Sequence, residues 1–120
     1  MKVRAFRGAT QLQGDDPIEM ESAVRELLTE IFAVNSIANE DLISILFTST
    51  PDLQCEFPAK TARSLNLGDV PLMCAVEVDV QGALPRIVRV MVHAHSALER
   101  SAIRHIYRRG AEALRRDIAQ

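Results

Sequence analysis

Two arginines occupy strand positions whose neighbours are apolar, and a glutamate stands against them. In the stretch PRIVRVMVHAH, alternation puts Val88, Val90, Val92 and Ala94 on one face of a strand and Ile87, Arg89, Met91 and His93 on the other. Near the N-terminus Val3, Ala5 and Arg7 share a face in the same way, and Glu77 lies at the end of an apolar strand. A charge on a buried face is costly unless it is paired. Arg7 and Arg89 are therefore edge residues reaching water, partners of Glu77 in a structural ion pair, or binders of an anion. Arginine suits the third role because its planar fork holds a carboxylate through two parallel hydrogen bonds. Lys60, Arg63 and the arginines of the C-terminal segment add further cations. Two arginines and a lysine around one glutamate suit a small dianion that carries a hydroxyl.

The usual reactive constellations are missing from the sequence. There is no nucleophile elbow, no phosphate-cradling glycine loop, no dinucleotide fingerprint and no His/Asp/Cys set with metal-ligand spacing. His93 and His95 share a strand face and could hold a metal between them, but no third ligand is visible, so they read as solvent-facing residues. Cys55 and Cys74 lie outside any CxxC pattern, which argues for reduced thiols in the cytoplasm. Any reaction here should depend on geometry and charge rather than on proton transfer.

These residues need elements to carry them. Lys2 to Ala9 alternates as a strand, and Gly14-Asp15-Asp16-Pro17 breaks it. Asp16 is a good N-cap, Pro17 suits the first helical position, and Glu19 stands three after the cap as in a capping box. Met20, Val24, Leu27, Leu28, Ile31 and Val34 then form one apolar stripe through to Asn35. The run Leu42 to Phe47 suits a central strand covered on both faces. A short helix is predicted from about Pro58 to Leu67, stopping at Gly68, followed by a strand from Pro71 to Val76 and a turn at Gln81-Gly82. The segment Ser101 to Gln120 is rich in arginine and reads as a terminal helix or tail, with residues 108–120 as a mobile tail. The order β-α-β-α-β-β predicts an α+β fold, a mixed β-sheet with helices packed on it. One long and one short helix cannot cover both sheet faces, so the other face needs a cover, most economically an identical subunit.

Bulk composition agrees with one domain over residues 1–120. The chain is 120 residues long, 48% hydrophobic and 25% charged, which allows a single real core. Its net charge of −2 offers no bulk attraction for nucleic acid or anionic lipid. No apolar run approaches the roughly 20 residues that span a bilayer. Arg4 and Arg7 stand where a signal peptide would need its apolar stretch. Aromatic content of 4%, with Tyr107 the lone tyrosine, implies an aliphatic core and asks what that tyrosine does.

The segments RAFRGAT, FTSTPDL, FPAKTAR, PLMCAVEVDV, ALPRIVRVMV and IRHIYR, taken in order and spacing, resemble the monofunctional AroH-type chorismate mutases from Arg4 to about Asp117. That resemblance implies a homotrimeric pseudo-α/β-barrel with active sites between subunits. It implies conversion of chorismate to prephenate by an intramolecular Claisen rearrangement, in phenylalanine and tyrosine synthesis, with no cofactor or metal. By the resemblance, Arg89 contacts the ether oxygen and a carboxylate, Arg7 and Tyr107 bind a carboxylate, and Glu77 takes the ring hydroxyl with help from the Cys74 backbone. Phe57, Ala59, Leu72 and Met73 would line the pocket, with Lys60 and Arg63 at its mouth. Leu114 and Arg115 fall where the family's tail folds over ligand, and the Phe57–Arg63 group would come from the neighbouring subunit. The chain departs from the family pattern at LRRDI, where a proline often follows the arginine, and at HAHS.

Two rival readings use the same arginines. A non-catalytic trimeric module for a small carboxylate metabolite would not require Glu77 opposite Arg89. A small imine deaminase would act on imines and ignore chorismate.

Overall fold

The computed structural model describes residues 1–118. Five strands form one mixed sheet: β1 (Lys2–Gln11), β2 (Leu42–Ser49), β3 (Leu72–Val76), β4 (Ile87–Ser96) and β5 (Ile106–Arg108), in the spatial order β3-β2-β4-β1-β5. Two helices, α1 (Pro17–Val34) and α2 (Pro58–Ser64), connect β1 to β2 and β2 to β3. The β1–β4 and β2–β4 pairs are antiparallel, while β2–β3 and β1–β5 are parallel.

Helix α1 starts where its local signals place it. Asp16 caps it by accepting from the Ile18 N–H at 3.3 Å, with Pro17 at the first position. Glu19 does not close a capping box on Asp16; its carboxylate reaches further back, to the N–H groups of Gln13 and Gly14 at 2.7 and 3.1 Å. The helix is thereby tied to the end of β1. Asp16→Ala removes the cap acceptor and is expected to cost about 1 kcal/mol, read as a lower denaturant midpoint with an unchanged slope.

Met20, Ala23, Val24, Leu27, Leu28 and Ile31 of α1 are buried on the sheet face made by Phe6, Ile45, Phe47, Val88, Val90 and Val92. The close approach depends on Gly8. A Cβ there would stand 2.8 Å from Ile31 Cδ1 and 3.0 Å from the Ile106 carbonyl, so the bare backbone lets α1 and β5 close on β1. Asn35, at the end of α1, is buried because its side chain pairs with the Arg104 backbone at 2.9 Å in both directions.

The other sheet face is covered at one end, where Ala9, Ile87 and Tyr107 are buried with Ala111, and open toward β2 and β3. Leu46 and Met73 are 40% and 64% exposed on it. The expectation that β2 is covered on both faces is therefore corrected: in one chain only the α1 side is covered, and β4 is the central strand. The expectation of a terminal helix is also corrected as far as Ile118, with residues 119 and 120 outside the described residues. The segment forms a 3-10 turn (Arg100–Ala102), β5, and another 3-10 turn (Ala111–Leu114). Positive φ at Arg109 and Gly110 ends any helix there, and β5 pairs in parallel with β1. Helix α2 ends at Ser64 rather than near Leu67, with Asn66 and Gly68 both at positive φ. Among the described residues no helix is long and apolar enough to cross a membrane.

Candidate active site

Register aligns the chemistry-bearing side chains in rows across the open face. Thr48 on β2 pairs with Arg89 on β4, Arg89 with Ala9 on β1, and Ala9 with Tyr107 on β5. The next row runs from Met73 through Leu46 and Met91 to Arg7. Ala9 itself is fully buried with Ile87, Tyr107 and Ala111. A cavity of about 230 Å³ opens across the two rows, lined by Arg7, Gly8, Leu46, Thr48, Arg89, Met91, Tyr107 and Arg115, among others.

Glu77 reaches this face from just beyond β3. Its N–H donates to the Ser49 carbonyl at 2.9 Å, which carries the β2–β3 pairing one step further. The carboxylate Oε1 accepts from Thr48 Oγ1 and from Arg89 Nε, each at 2.8 Å. Among the described residues Arg89 is held through Nε alone, which leaves both terminal nitrogens for a ligand. The guanidinium of Arg7 forms no ion pair at contact distance among the described residues, although its side chain is half-buried at the cavity and, after the Arg115 hydrogen bond, its charge helps hold the Asp117 carboxyl below the usual range. Arg115 does have one, with Nη2 at 2.8 Å from Asp117 Oδ2. Three arginines thus face one cavity with Glu77 at its edge, an arrangement suited to an anion with a hydroxyl or a developing positive charge nearby.

The sequence model for the family described as chorismate mutase type I matches residues 3–118. The chain belongs to that family. It is 40% identical over 117 residues to chorismate mutase AroH of Thermus thermophilus, covering 97% of this chain and 96% of that protein. It is 36% identical over 120 residues to chorismate mutase AroH of Bacillus subtilis (strain 168), covering 99% and 94% respectively. The solved chorismate mutase from Clostridium thermocellum superposes with a TM-score of 0.89 at 37% identity, covering 92% of this chain and 98% of that one. The α+β fold read from the sequence is that of chorismate mutase type I.

Within this chorismate mutase chain the expected site residues fall into two groups. Arg7, Arg89, Tyr107 and Arg115 line the same cavity, and Glu77 bonds Arg89 at its edge. The Tyr107 ring is buried with Ala9, Ile87 and Ala111, and Leu114 packs against that cluster. The second group lies elsewhere. Leu72 and Cys74 point to the α1 side and pack on the main core, because they pair with Ile45 and Phe47, whose side chains are buried there. Met73 projects from the open face, in register with Leu46.

Ala59 is buried in the core and Arg63 is exposed on the last turn of α2. Lys60 is exposed and pairs with Glu56 at 3.0 Å. Phe57, 68% exposed, lines a separate cavity of about 340 Å³ with Cys55 and Cys74. The Cys55 thiol is pushed up to about 11 by burial and by the Asp15 carboxylate, which makes it a poor nucleophile. Of the two histidines, His95 is exposed, and His93 is half-buried with its Nδ1 3.4 Å from Ser44 Oγ. Among the described residues no group of three or more His, Cys, Asp or Glu is placed to hold a metal ion.

Sequence reading missed Thr48, which fixes Glu77. It carries no local signal, since it acts through a neighbour on another strand. Arg108 and Arg109, in the segment read as a terminal helix or tail, both reach α1: Arg108 Nε donates to Glu30 Oε1 at 2.9 Å, and Arg109 pairs with Glu26 at 3.2 Å. They anchor β5, and with it Tyr107.

Proposed function

We propose that the open-face cavity is the site at which this chain converts chorismate to prephenate by intramolecular Claisen rearrangement. The carrying observation is the Arg89–Glu77 pair: a cation with two unengaged nitrogens, fixed beside a carboxylate and across from Arg7. In this reaction the ether C–O bond breaks ahead of C–C bond formation. Negative charge gathers on the ether oxygen while the ring takes on allyl-cation character. A fixed guanidinium at that oxygen stabilises the transition state more than the ground state. Arg7 and Tyr107 hold the enolpyruvyl carboxylate over the ring, supplying orientation. Glu77 takes the ring hydroxyl and offsets the growing positive charge. No proton is transferred, so no acid–base limb is expected near neutrality.

The assembly in this reading is a cytoplasmic homotrimer with sites between subunits. Exposed Leu46, Met73, Val76 and Val78 supply apolar surface for the contact. Phe57, Ala59, Lys60 and Arg63, remote from Arg89 within one chain, would belong to a neighbour's site. Leu72, Met73 and the Cys74 backbone would form the wall on the β3 side, with Leu114 and Arg115 folding over the ligand.

The test is loss of chorismate's ultraviolet absorbance, together with a solution mass. Turnover unchanged by a chelator, from particles of three chains, is the expected result. Saturable binding without turnover would leave a carboxylate-binding module. A stable, fully active monomer would sink the interfacial site.

A further inference from the structure

His105 lies within IRHIYR, directly before β5, and has no part in the mechanism above. The β1–β5 ladder begins at Gly8 and Ile106, so the N–H of Arg7 falls one residue outside it. The His105 ring takes the place of the missing strand carbonyl, its Nδ1 accepting the Arg7 N–H at 3.0 Å. Accepting needs the Nδ1 lone pair, and therefore a neutral ring protonated on Nε2.

The surroundings of the ring are cationic. With Arg4, Arg7, Arg100, Met91 and Ile103 it lines a cavity of about 420 Å³ on the far side of Arg7 from Arg89. Arg4 and Arg7 come from β1, Arg100 from the turn after β4, and Arg115 from the tail, while β4 contributes only Met91 to this cavity. The nearby carboxylates are already engaged, Glu99 by Arg4 at 3.7 Å and Asp117 by Arg115 at 2.8 Å.

We propose that His105 is a positioning residue for substrate binding: its neutral imidazole anchors the Arg7 backbone, and so aims the Arg7 guanidinium at the substrate carboxylate, while the protonated ring releases it. An imidazolium presents a donor at Nδ1, opposite the Arg7 N–H, and adds a positive charge to a ring already acted on by the charges of Arg7 and Arg115. Burial, then the charges of Arg7 and Arg115, hold the imidazole below the usual histidine range. The neutral form therefore prevails at neutrality, and release comes only on the acid side. Stability follows the same sign, full above the usual histidine range and falling as pH drops toward the folded ring's lower value.

This inference rests on the chorismate mutase reading, and its test separates the two. KM and kcat for chorismate are measured from neutral to mildly acid pH in wild type, His105→Asn and His105→Leu, with the folded fraction followed by circular dichroism. The asparagine oxygen can stand near the Nδ1 position and does not protonate. In wild type KM should rise roughly tenfold on acidification, the scale of one net hydrogen bond, with kcat less affected. His105→Asn should stay near the wild-type KM at neutrality and lose the acid rise. His105→Leu should show a raised KM that is flat with pH. Persistence of the acid rise in His105→Asn would place the effect on the substrate or another group and overturn the proposal. The Arg7 amide resonance, which should follow the His105 ring titration, needs neither turnover nor a folded leucine variant. If wild type left chorismate intact, the mutase reading would fall; an Arg7 amide indifferent to the ring would overturn the positioning role.

Discussion

Arg89→Lys is expected to lower kcat for chorismate by about 10²–10³-fold, the loss typical of one preorganised transition-state donor. The geometry says why a lysine cannot substitute. Arg89 spends Nε on Glu77 at 2.8 Å and still offers two nitrogens to the cavity. A lysine has a single nitrogen, which must choose between Glu77 and the ether oxygen. Arg89→Ala should cost at least as much, because Glu77, with its side chain 15% exposed, would keep Thr48 but lose its cation. The loss should fall mainly on kcat, since charge on the ether oxygen develops only in the transition state, with a smaller rise in KM from the lost carboxylate contact. Equal loss in both, or activity that survives the alanine, would remove Arg89 from the centre of the mechanism.

Phe6→Ala carries the largest expected effect on stability, a loss of about 3–5 kcal/mol. Phe6 is fully buried on β1, pairs with Val92, and shares the core with Leu27, Leu28 and Ile31 of α1. The cavity left by the ring has little means of collapsing. Glu19 ties the start of α1 to Gln13 and Gly14, and Glu26 and Glu30 tie its far end to Arg109 and Arg108. Denaturant unfolding at one fixed protein concentration should show a lower midpoint with an unchanged slope. Phe6→Leu should recover much of the loss. A cost below about 1 kcal/mol would mean that α1 moves in to fill the space, contrary to a helix tied at both ends.

Sequence periodicity separated the two faces of β4 correctly. Val88, Val90, Val92 and Ala94 are all buried toward α1, and Arg89, Met91 and His93 lie on the open face. Helix α1 was equally legible, from Asp16 and Pro17 through the stripe ending at Ile31 and Val34. The oddity of Arg7 and Arg89 was visible too, but their role was not. Snorkelling, pairing with Glu77 and anion binding fit the same residues until the pairing is known. In the structure Arg89 has the glutamate and spare nitrogens together, while Arg7 forms no ion pair at contact distance among the described residues.

The strand Ile106–Arg108 was hidden because its partner lies far away in sequence. His105 meets Arg7 across 98 positions, and nothing in an arginine-rich, helix-prone segment announces a parallel pairing to β1. The inward turn of Leu72 and Cys74 was hidden for a related reason, since their face is set by register with Ile45 and Phe47. A helix closes its hydrogen bonds within four residues, so caps and stripes are written locally. A strand closes them on other strands, so its propensity depends on neighbours it does not specify. By itself the sequence determined α1, the two faces of β4 and the misplaced charges. Only the tertiary structure decided that Thr48, Arg89, Ala9 and Tyr107 stand in one row, because backbone pairing across four strands sets which side chains share a face.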